Sequence, residues 1–232
     1  MTQAIRIHEN GGPEVLRWEA IDLPAPGPGE VRLRHTAIAL NFSDINVRRG
    51  GFYSDETPDF PIILGNEAAA VVVETGSGVT GVAPGDRVGY VGVGGPFFVN
   101  TGAYAEERNV PAHCLIPLPD DIPDETAAAI MLKGFTAASV IEPIYTPGPG
   151  DWILIHTAAS GVGSLLAQWS RHLGATVIGT VGSADKAARA REMGCDHTIL
   201  YREVDFVPAV KELVPEGVSA VFDGVGRDTF VK

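Results

Sequence analysis

The stretch DWILIHTAASGVGSLLAQWSRHLGATVIGTVGS, residues 151–183, decides the fold of this chain. It begins with a short apolar run, Trp152–Ile155, which predicts a strand because four residues between turn formers are too few for a helix. A loop of small residues, Thr157–Gly163, comes next, and apolar residues at helical spacing then continue to Gly174. A second apolar run, Thr176–Val181, completes a strand–loop–helix–strand unit.

We call residues Thr157–Gly163 the fingerprint loop, because small residues let backbone N–H groups approach a diphosphate at a helix N-terminus. The dinucleotide pattern G-x-G-x-x-G is replaced here by A-A-S-G-V-G. The structural alternative is an ordinary strand-to-helix turn that needs small residues for packing. The strand before the loop and the helix after it favour nucleotide binding. The candidate cofactor-binding residues of the loop are Ala158, Ser160, Gly161, Val162 and Gly163.

The end of the second strand indicates which dinucleotide is bound. Proteins that bind NAD place an Asp or Glu there, which accepts hydrogen bonds from the ribose 2′-hydroxyl. In this chain Val181 and Gly182 occupy that place. A 2′-phosphate needs hydrogen-bond donors and positive charge, which Ser183 and Lys186 supply. The sequence therefore predicts NADP(H) as the cofactor, although Lys186 taken alone also fits a solvated helix lysine.

The composition is that of an ordinary globular protein. The 232 residues are 45% hydrophobic and 20% charged, which is sufficient for two modest cores. A formal net charge of −12 argues against nucleic acid or an anionic membrane as a partner. We expect neither a signal peptide nor a membrane span, since no apolar run has the required length. Cys114 and Cys195 indicate reduced thiols in a cytoplasmic protein.

Clusters of Gly and Pro divide the chain into two predicted domains. Over residues 1–123 they separate short apolar or alternating runs, which predicts a small β-barrel-like domain. The predicted strands of that domain are Ala4–His8, Val31–Ile38, Ala68–Glu74, Arg87–Val91 and Tyr104–Arg108. Over residues 124–232 helices and strands alternate, with further strands near residues 197 and 218. This alternation predicts an α/β domain with a parallel, doubly wound sheet.

Together these motifs resemble the medium-chain dehydrogenase/reductase superfamily, and within it the zinc-independent, zeta-crystallin-like NADPH:quinone oxidoreductases. The matching stretches are HENGGPEVL (8–16), NFSDINVRRG (41–50), GNEAAAVVVETGSGV (65–79), PGDRV (84–88), GAYAEE (102–107), AAAIMLKGFTA (127–137), AASGVG (158–163), GTVGS (179–183), YRE (201–203) and FDGVGRDT (222–229). The resemblance implies a GroES-like substrate domain followed by a Rossmann domain that binds NADP(H). It also implies a homodimer for full-length members.

The resemblance bears on the presence of zinc. Zinc-type relatives carry Cys, His and Cys where this chain has Asn41, Asn66 and Lys133. Carboxamides are poor zinc ligands and an ammonium repels the metal, whereas thiolate, imidazole and carboxylate are the usual ligands. Glu67 remains beside Asn66, but one carboxylate does not make a site. We therefore predict no metal.

The resemblance also implies site residues for a metal-free hydride transfer. Lys133 and the Asn41 amide would stabilise negative charge on a reduced quinone, and Tyr53 would be a donor or a stacking wall. Thr136 and Tyr201 match positions that bind the cofactor, Tyr201 beside the adenosine 2′-phosphate. The structural alternatives are a solvated helix residue for Lys133 and packing aromatics for Tyr53 and Tyr201.

The expected function is the NADPH-dependent reduction of quinones or related α,β-unsaturated carbonyls. An enoyl-thioester or alkenal reductase of the same superfamily is an alternative. A complete Rossmann sheet has six strands in the order 3-2-1-4-5-6, whereas this sequence predicts four. We expect two βα units to be missing, roughly 60 residues at about 30 for each. An inactive nucleotide-binding remnant is therefore a further alternative.

Overall fold

The computed structural model describes residues 1–51, 59–93 and 101–231, which fold into two compact units, Met1–Leu132 and Lys133–Lys232. The division between the units falls inside helix α2 (Asp124–Ile141). The predicted domain limits at residues 123 and 124 stay a prediction. No helix in the described part of the chain combines the length and the apolarity that a membrane crossing requires.

The first unit consists of two antiparallel sheets and a short helix. The smaller sheet has the order β2-β1-β4, with strands β1 (Thr2–Ile7), β2 (Arg17–Ile21) and β4 (Ile62–Ile63). The larger sheet has the order β7-β3-β5-β6-β8, with strands β3 (Glu30–Ile38), β5 (Glu67–Thr75), β6 (Arg87–Val91), β7 (Glu107–Pro111) and β8 (Ile116–Pro117). Alternate apolar residues such as Val31 and Leu33 on β3 are buried in one core, as a period of two requires.

Four of the five strands predicted in this unit lie where the sequence indicates, and the fifth is displaced. Strand β7 begins at Glu107, whereas the prediction has a strand over Tyr104–Arg108. The backbone N–H of Tyr104 donates to the carbonyl of Leu64 at 2.8 Å, and Glu106 donates to Gln3 at 2.9 Å. The N–H groups of the segment before β7 therefore donate outside the larger sheet, while the Glu106 carbonyl accepts from the His35 N–H of β3 at 2.9 Å.

The second unit is a parallel sheet of four strands flanked by helices. The strands are β9 (Trp152–Ile155), β10 (Thr176–Val181), β11 (His197–Leu200) and β12 (Ala220–Phe222). The helices after α2 are α3 (Gly161–His172), α4 (Ala184–Glu192) and α5 (Phe206–Leu213). The sheet order is β11-β10-β9-β12, which confirms the predicted order 3-2-1-4.

Apolar cores cover both faces of this sheet. Ile153 and Ile155 of β9 lie in one core with apolar residues of α2, α3 and α4. Leu154 of β9 lies in the other core with Ile178 of β10 and Val210 of α5. Both faces are therefore buried, which explains why the strands read as continuous apolar runs.

The strand order reverses between β9 and β12, because the chain proceeds from β9 through β10 to β11 and then returns to the opposite side of β9. Connections leave the two neighbouring strands in opposite directions at this point, which opens a crevice at their carboxyl ends. The backbone N–H of His156 donates to the carbonyl of Phe222 at 3.0 Å, so the crevice begins directly beyond these residues.

Candidate functional site

The fingerprint loop connects β9 to α3 at the carboxyl edge of the sheet. Ser160 is the N-cap of α3, and its Oγ accepts a hydrogen bond from the Gly163 N–H at 3.1 Å. A Cβ on Gly163 would lie 2.5 Å from the carbonyl oxygen of Thr157 and 2.9 Å from the Cα of Ala158. Position 163 therefore admits no side chain, which is the role of the third glycine in a dinucleotide loop.

Two candidate residues of the loop face the protein interior. Ala158 is fully buried, and Val162 packs against the same core as the apolar residues of β9. Their side chains are therefore directed away from a ligand at the sheet edge, and any contribution to binding comes from their backbone. Ser160 and Gly161, in contrast, are exposed at the start of α3.

The side chain of Lys133 extends over the first turn of α3. A Cβ on Gly161 would lie 2.8 Å from Cδ and 3.1 Å from Cε of Lys133. The structure thus brings a predicted catalytic residue against a predicted cofactor-binding residue. A cation beside a helix N-terminus adds to the partial positive charge of the helix and favours an anionic group there. Thr136 is exposed on α2, three residues after Lys133 and hence on the same face of the helix.

The end of β10 holds the residues that the sequence predicts beside a 2′-phosphate. Ser183 is the N-cap of α4, and its Oγ accepts from the backbone N–H of Lys186 at 3.5 Å. Both residues are exposed. The N-terminus of this nine-residue helix therefore points to the same edge of the sheet as the fingerprint loop.

Gly182 lies beneath the side chains of two residues that follow β11. A Cβ on Gly182 would be 2.8 Å from the phenolic oxygen of Tyr201 and 3.4 Å from Nε of Arg202. The backbone N–H of Tyr201 donates to the carbonyl of Val181 at 3.2 Å, which fixes this segment beside β10. Tyr201 therefore lies beside the end of β10, and its role at the adenosine 2′-phosphate stays a prediction. Arg202 is an additional residue that sequence reasoning missed, and its place directly after Tyr201 was the only signal.

A cavity of about 350 Å³ opens beside Tyr201 at the same edge. Its apolar lining comes mainly from Val204, Phe206 and Val225, on segments that follow β11 and β12. The volume lies in the range of small-ligand pockets, and the lining suits a flat, largely apolar ring. The cavity lies at the same edge of the sheet as the fingerprint loop and Ser183, and the carboxylates of Asp205 and Asp228 also line it.

His156 forms the inner wall of this cavity. Its Nδ1 lies 2.9 Å from Oγ1 of Thr180, and its ring meets the edge of Phe206 with a centroid distance of 4.8 Å. Burial lowers the pKa of His156, while the carboxylate of Asp223 acts in the opposite direction. The sequence suggests no partner for this histidine, because the contacts join residues from three separate segments.

In the first unit, Asn41 precedes helix α1 (Phe42–Arg49) and its side chain contacts a buried carboxylate. The Asn41 amide donates from Nδ2 to Oε1 of Glu67 at 2.7 Å. The other oxygen of Glu67 accepts from the backbone N–H of Leu132 at 2.5 Å. Glu67 is fully buried, so these two hydrogen bonds compensate for the loss of water around its carboxylate.

Asp44 is a second buried carboxylate next to this pair. It accepts from the backbone N–H of Asn41 at 2.8 Å, from the Asn66 amide at 2.9 Å and from the Tyr104 hydroxyl at 3.0 Å. Burial raises the pKa of Asp44 above its ordinary value, although all three hydrogen bonds act in the opposite direction. Asp44 therefore orders the N-terminus of α1 through its neighbours.

The described residues contain no group of three or more His, Cys, Asp and Glu side chains that could hold a metal ion. The prediction of a metal-free protein stays a prediction. Its support is the set of N–H donors that face both oxygens of Glu67, since a cation at this carboxylate would have to displace them. Tyr53, the third predicted catalytic residue, lies outside the described residues.

Comparison with known proteins gives matches over most of the chain. Residues 27–120 match the alcohol dehydrogenase GroES-like domain, and residues 161–232 match the zinc-binding dehydrogenase family. A 2-haloacrylate reductase from Burkholderia sp is 45% identical over 235 residues, which cover 100% of this chain and 69% of that protein.

Two solved structures have the same fold over nearly the whole chain. The quinone oxidoreductase of Pseudomonas syringae superimposes with a TM-score of 0.91 at 43% identity, covering 100% of this chain and 69% of that one. The quinone oxidoreductase of Escherichia coli complexed with NADPH has a TM-score of 0.91 at 39% identity, with 99% and 68% covered.

Proposed function

This chain belongs to the quinone oxidoreductase family of the medium-chain dehydrogenases and reductases, and from that membership we propose that it is an NADPH-dependent reductase of quinones or related unsaturated carbonyls. The cofactor is NADP(H). One observation carries the proposal for this chain itself. The fingerprint loop, the N-terminus of α4 and the residues over Gly182 converge on the carboxyl edge of one sheet, with no acid at the end of β10.

Different residues at the carboxyl edge of the parallel sheet bind different parts of NADPH. Ser160 orders the first turn of α3, and the closely packed Gly163 lets the backbone approach the diphosphate. Ser183 and Lys186 supply the donor and the charge that a 2′-phosphate needs, with Tyr201 beside them. An Asp or Glu at position 182 would repel that phosphate, and Gly182 does not. Thr136 completes the cofactor residues of the proposal.

When bound, NADPH supplies a hydride to an electron-poor acceptor. The protein contributes position and charge. Lys133 and Asn41 stabilise the negative charge that develops on the substrate oxygen, with Tyr53 as a further donor or stacking surface. The contact of Lys133 with Gly161 supports a role close to the cofactor, because it holds the ammonium stem at the N-terminus of α3. We assign no metal to the reaction.

The acceptor is a small molecule with an activated double bond or a quinone. The relatives include both quinone oxidoreductases and a 2-haloacrylate reductase, which favours 2-haloacrylates as a second candidate class. The chemistry is shared, because in each case a hydride reaches an electron-poor carbon while negative charge accumulates on a conjugated oxygen. Enoyl thioesters and alkenals belong to the same electronic class.

We place the protein in the cytoplasm, on the basis of its two free thiols and the absence of any disulfide among the described residues. The net charge of −12 supports a small-molecule substrate over nucleic acid or an anionic membrane. The family resemblance supports a homodimer for full-length members.

Stopped-flow oxidation of NADPH tests the function. The chain is mixed with NADPH and with 1,4-benzoquinone, 2-chloroacrylate or an alkenal in turn, and the loss of absorbance is compared with a protein-free blank. We expect oxidation above the blank with at least one acceptor and a reduced rate for Lys133→Met. Lys211→Met, an exposed lysine on α5, is the matched control. Bound NADPH with no oxidation by any acceptor would contradict the proposal and favour a nucleotide-binding remnant.

A further inference from the structure

The backbone conformation at position 182 does not require glycine. Thirteen glycines of the described chain have positive φ, and Gly182 is not among them. A Cβ at position 182 would instead crowd two side chains, because it would lie 2.8 Å from the Tyr201 hydroxyl oxygen and 3.4 Å from Nε of Arg202, and these side chains would have to shift. Glycine at position 182 therefore leaves room for a phenol and a guanidinium at the end of β10.

The guanidinium of Arg202 lies close to Gly182, at the end of the second strand of the sheet. In dinucleotide-binding sheets the residue at the end of the second strand meets the adenosine ribose, and an arginine near that point accommodates a 2′-phosphate. The four ion pairs formed among the described residues do not include Arg202. Its charge is thus not neutralised by a carboxylate in that part of the protein.

The negative net charge of the chain makes a nearby cation more important for binding a phosphate. The chain carries a formal net charge of −12, and the acidic residues Asp185 and Glu203 flank the site in sequence. A doubly charged phosphate meets a repulsive long-range field under these conditions, so its binding depends on nearby positive groups. Lys186 is one such group, and a guanidinium adds a planar fork that can bond two phosphate oxygens at once.

We propose that Arg202 is a specificity-determining residue that binds the 2′-phosphate and sets the preference for NADPH over NADH. The inference rests on the proposed function, because it assigns a further ligand to the same cofactor site. Gly182 and Arg202 act together, because the absence of a side chain at position 182 leaves space for the positively charged guanidinium of Arg202 at the end of β10. Substitution of a solvated arginine without this role would change the affinity for neither dinucleotide.

The test uses two fragments that differ only in the 2′-phosphate, adenosine 2′,5′-bisphosphate and adenosine 5′-monophosphate. Their affinities for the full chain are measured by titration calorimetry with wild type, Arg202→Gln and Arg202→Lys. We expect Arg202→Gln to weaken binding of the bisphosphate about tenfold or more, the low end of a charge-assisted hydrogen bond, and to leave the monophosphate within about twofold. Arg202→Lys should fall between, because it keeps the charge and loses the fork.

Arg171→Gln is the matched control, since Arg171 is an exposed arginine in the last turn of α3, at the end opposite the fingerprint loop. It should leave both affinities unchanged. Equal losses for both fragments with Arg202→Gln, or no loss for either, would overturn the role of Arg202 while the wild-type preference for the bisphosphate upholds the proposed cofactor. A wild type that binds both fragments equally would overturn both proposals.

Discussion

Gly163 and Thr157 approach so closely in the fingerprint loop that a Cβ on Gly163 would lie 2.5 Å from the carbonyl oxygen of Thr157. The obstacle is backbone and cannot rotate away. At Gly161 the obstacle is the side chain of Lys133, with Cδ at 2.8 Å, and a flexible side chain can move. The two glycines of this loop therefore differ in what an added Cβ would meet: backbone at position 163 and a flexible side chain at position 161.

We therefore expect Gly163→Ala to destabilise the protein by about 1–3 kcal/mol, the usual cost of an overpacked site, and to abolish NADPH binding. Gly161→Ala should change the free energy of unfolding by less than about 1 kcal/mol. Gly134→Ala is the control, because a Cβ there meets no atom within 4 Å and alanine favours a helix. Urea unfolding measures all three, and equal effects of the two loop substitutions would contradict the packing argument.

Lys186 gives a prediction for cofactor preference. Lys186→Ala should weaken NADPH binding by about 10- to 150-fold, which corresponds to a charge-assisted hydrogen bond of about 1.5–3 kcal/mol, and leave NADH binding unchanged. Lys211→Ala is the control, because its ammonium donates to the carbonyl of Pro215 at 3.4 Å on a different helix. Titration calorimetry with both dinucleotides gives the comparison. Equal losses for NADPH and NADH would show that Lys186 does not contact the 2′-phosphate.

Glu67 gives a prediction for stability. Glu67→Ala removes the acceptor of the Asn41 amide and of the Leu132 N–H, and we expect a loss of about 2 kcal/mol or more because buried donors are left unsatisfied. Glu67→Gln should cost less, since one acceptor oxygen remains. Glu74→Ala on the same strand is the control. Its carboxylate is half exposed and 3.6 Å from Arg32, so its loss should cost less than about 1 kcal/mol. Urea unfolding at neutral pH measures these losses of stability. Equal losses for Glu67→Ala and Glu74→Ala would contradict the stabilising role of the buried Glu67 carboxylate.

The sequence was sufficient for the parallel sheet because each of its strands is an apolar run between turn formers. It does not predict helix α1, whose buried residues include Ser43, Asp44 and Arg48. Apolar periodicity has no signal for a helix with a polar buried face. That face is stabilised by hydrogen bonds to residues far along the chain, such as Asn66 and Tyr104, which only the folded structure brings together.

The candidate site shows the same limit. The fingerprint loop and Ser183 could be predicted because their roles depend on the strand and helix beside them in sequence. Arg202 could not, since an exposed arginine has the same sequence pattern whether it is solvated or binds a ligand. Its significance depends on the crowding above Gly182, a contact between the ends of two neighbouring strands.

His35 is a buried titratable group in the first unit and has a defined tautomer. Its Nδ1 lies 2.6 Å from the carbonyl oxygen of Ala105, which can only accept, so Nδ1 carries the proton. Nε2 accepts from the hydroxyl of Tyr90 at 2.9 Å. The pKa of His35 is lowered from 6.5 to about 4, mainly by burial; the hydrogen bond to Ala105 acts in the opposite direction, and the positive charge of Arg108 acts in the same direction as burial.

The depressed pKa of His35 predicts a loss of stability in acid. Between about pH 6.5 and pH 4 the unfolded chain binds a proton at this residue and the folded chain does not, so stability falls as the pH is lowered through this window. The full effect is about 3 kcal/mol, at about 1.4 kcal/mol for each tenfold change in proton affinity. Asp44 contributes with the opposite sign, because its raised pKa favours the folded state as the pH falls.

The test of His35 must therefore compare wild type with His35→Gln, with His172→Gln on the surface of α3 as the control. We expect the difference in unfolding free energy between wild type and His35→Gln to be constant above pH 7 and to shrink by about 2–3 kcal/mol towards pH 4. Urea unfolding at half-unit steps of pH measures it, and a difference that stays constant over the whole range would show that His35 takes up its proton equally well in the folded chain.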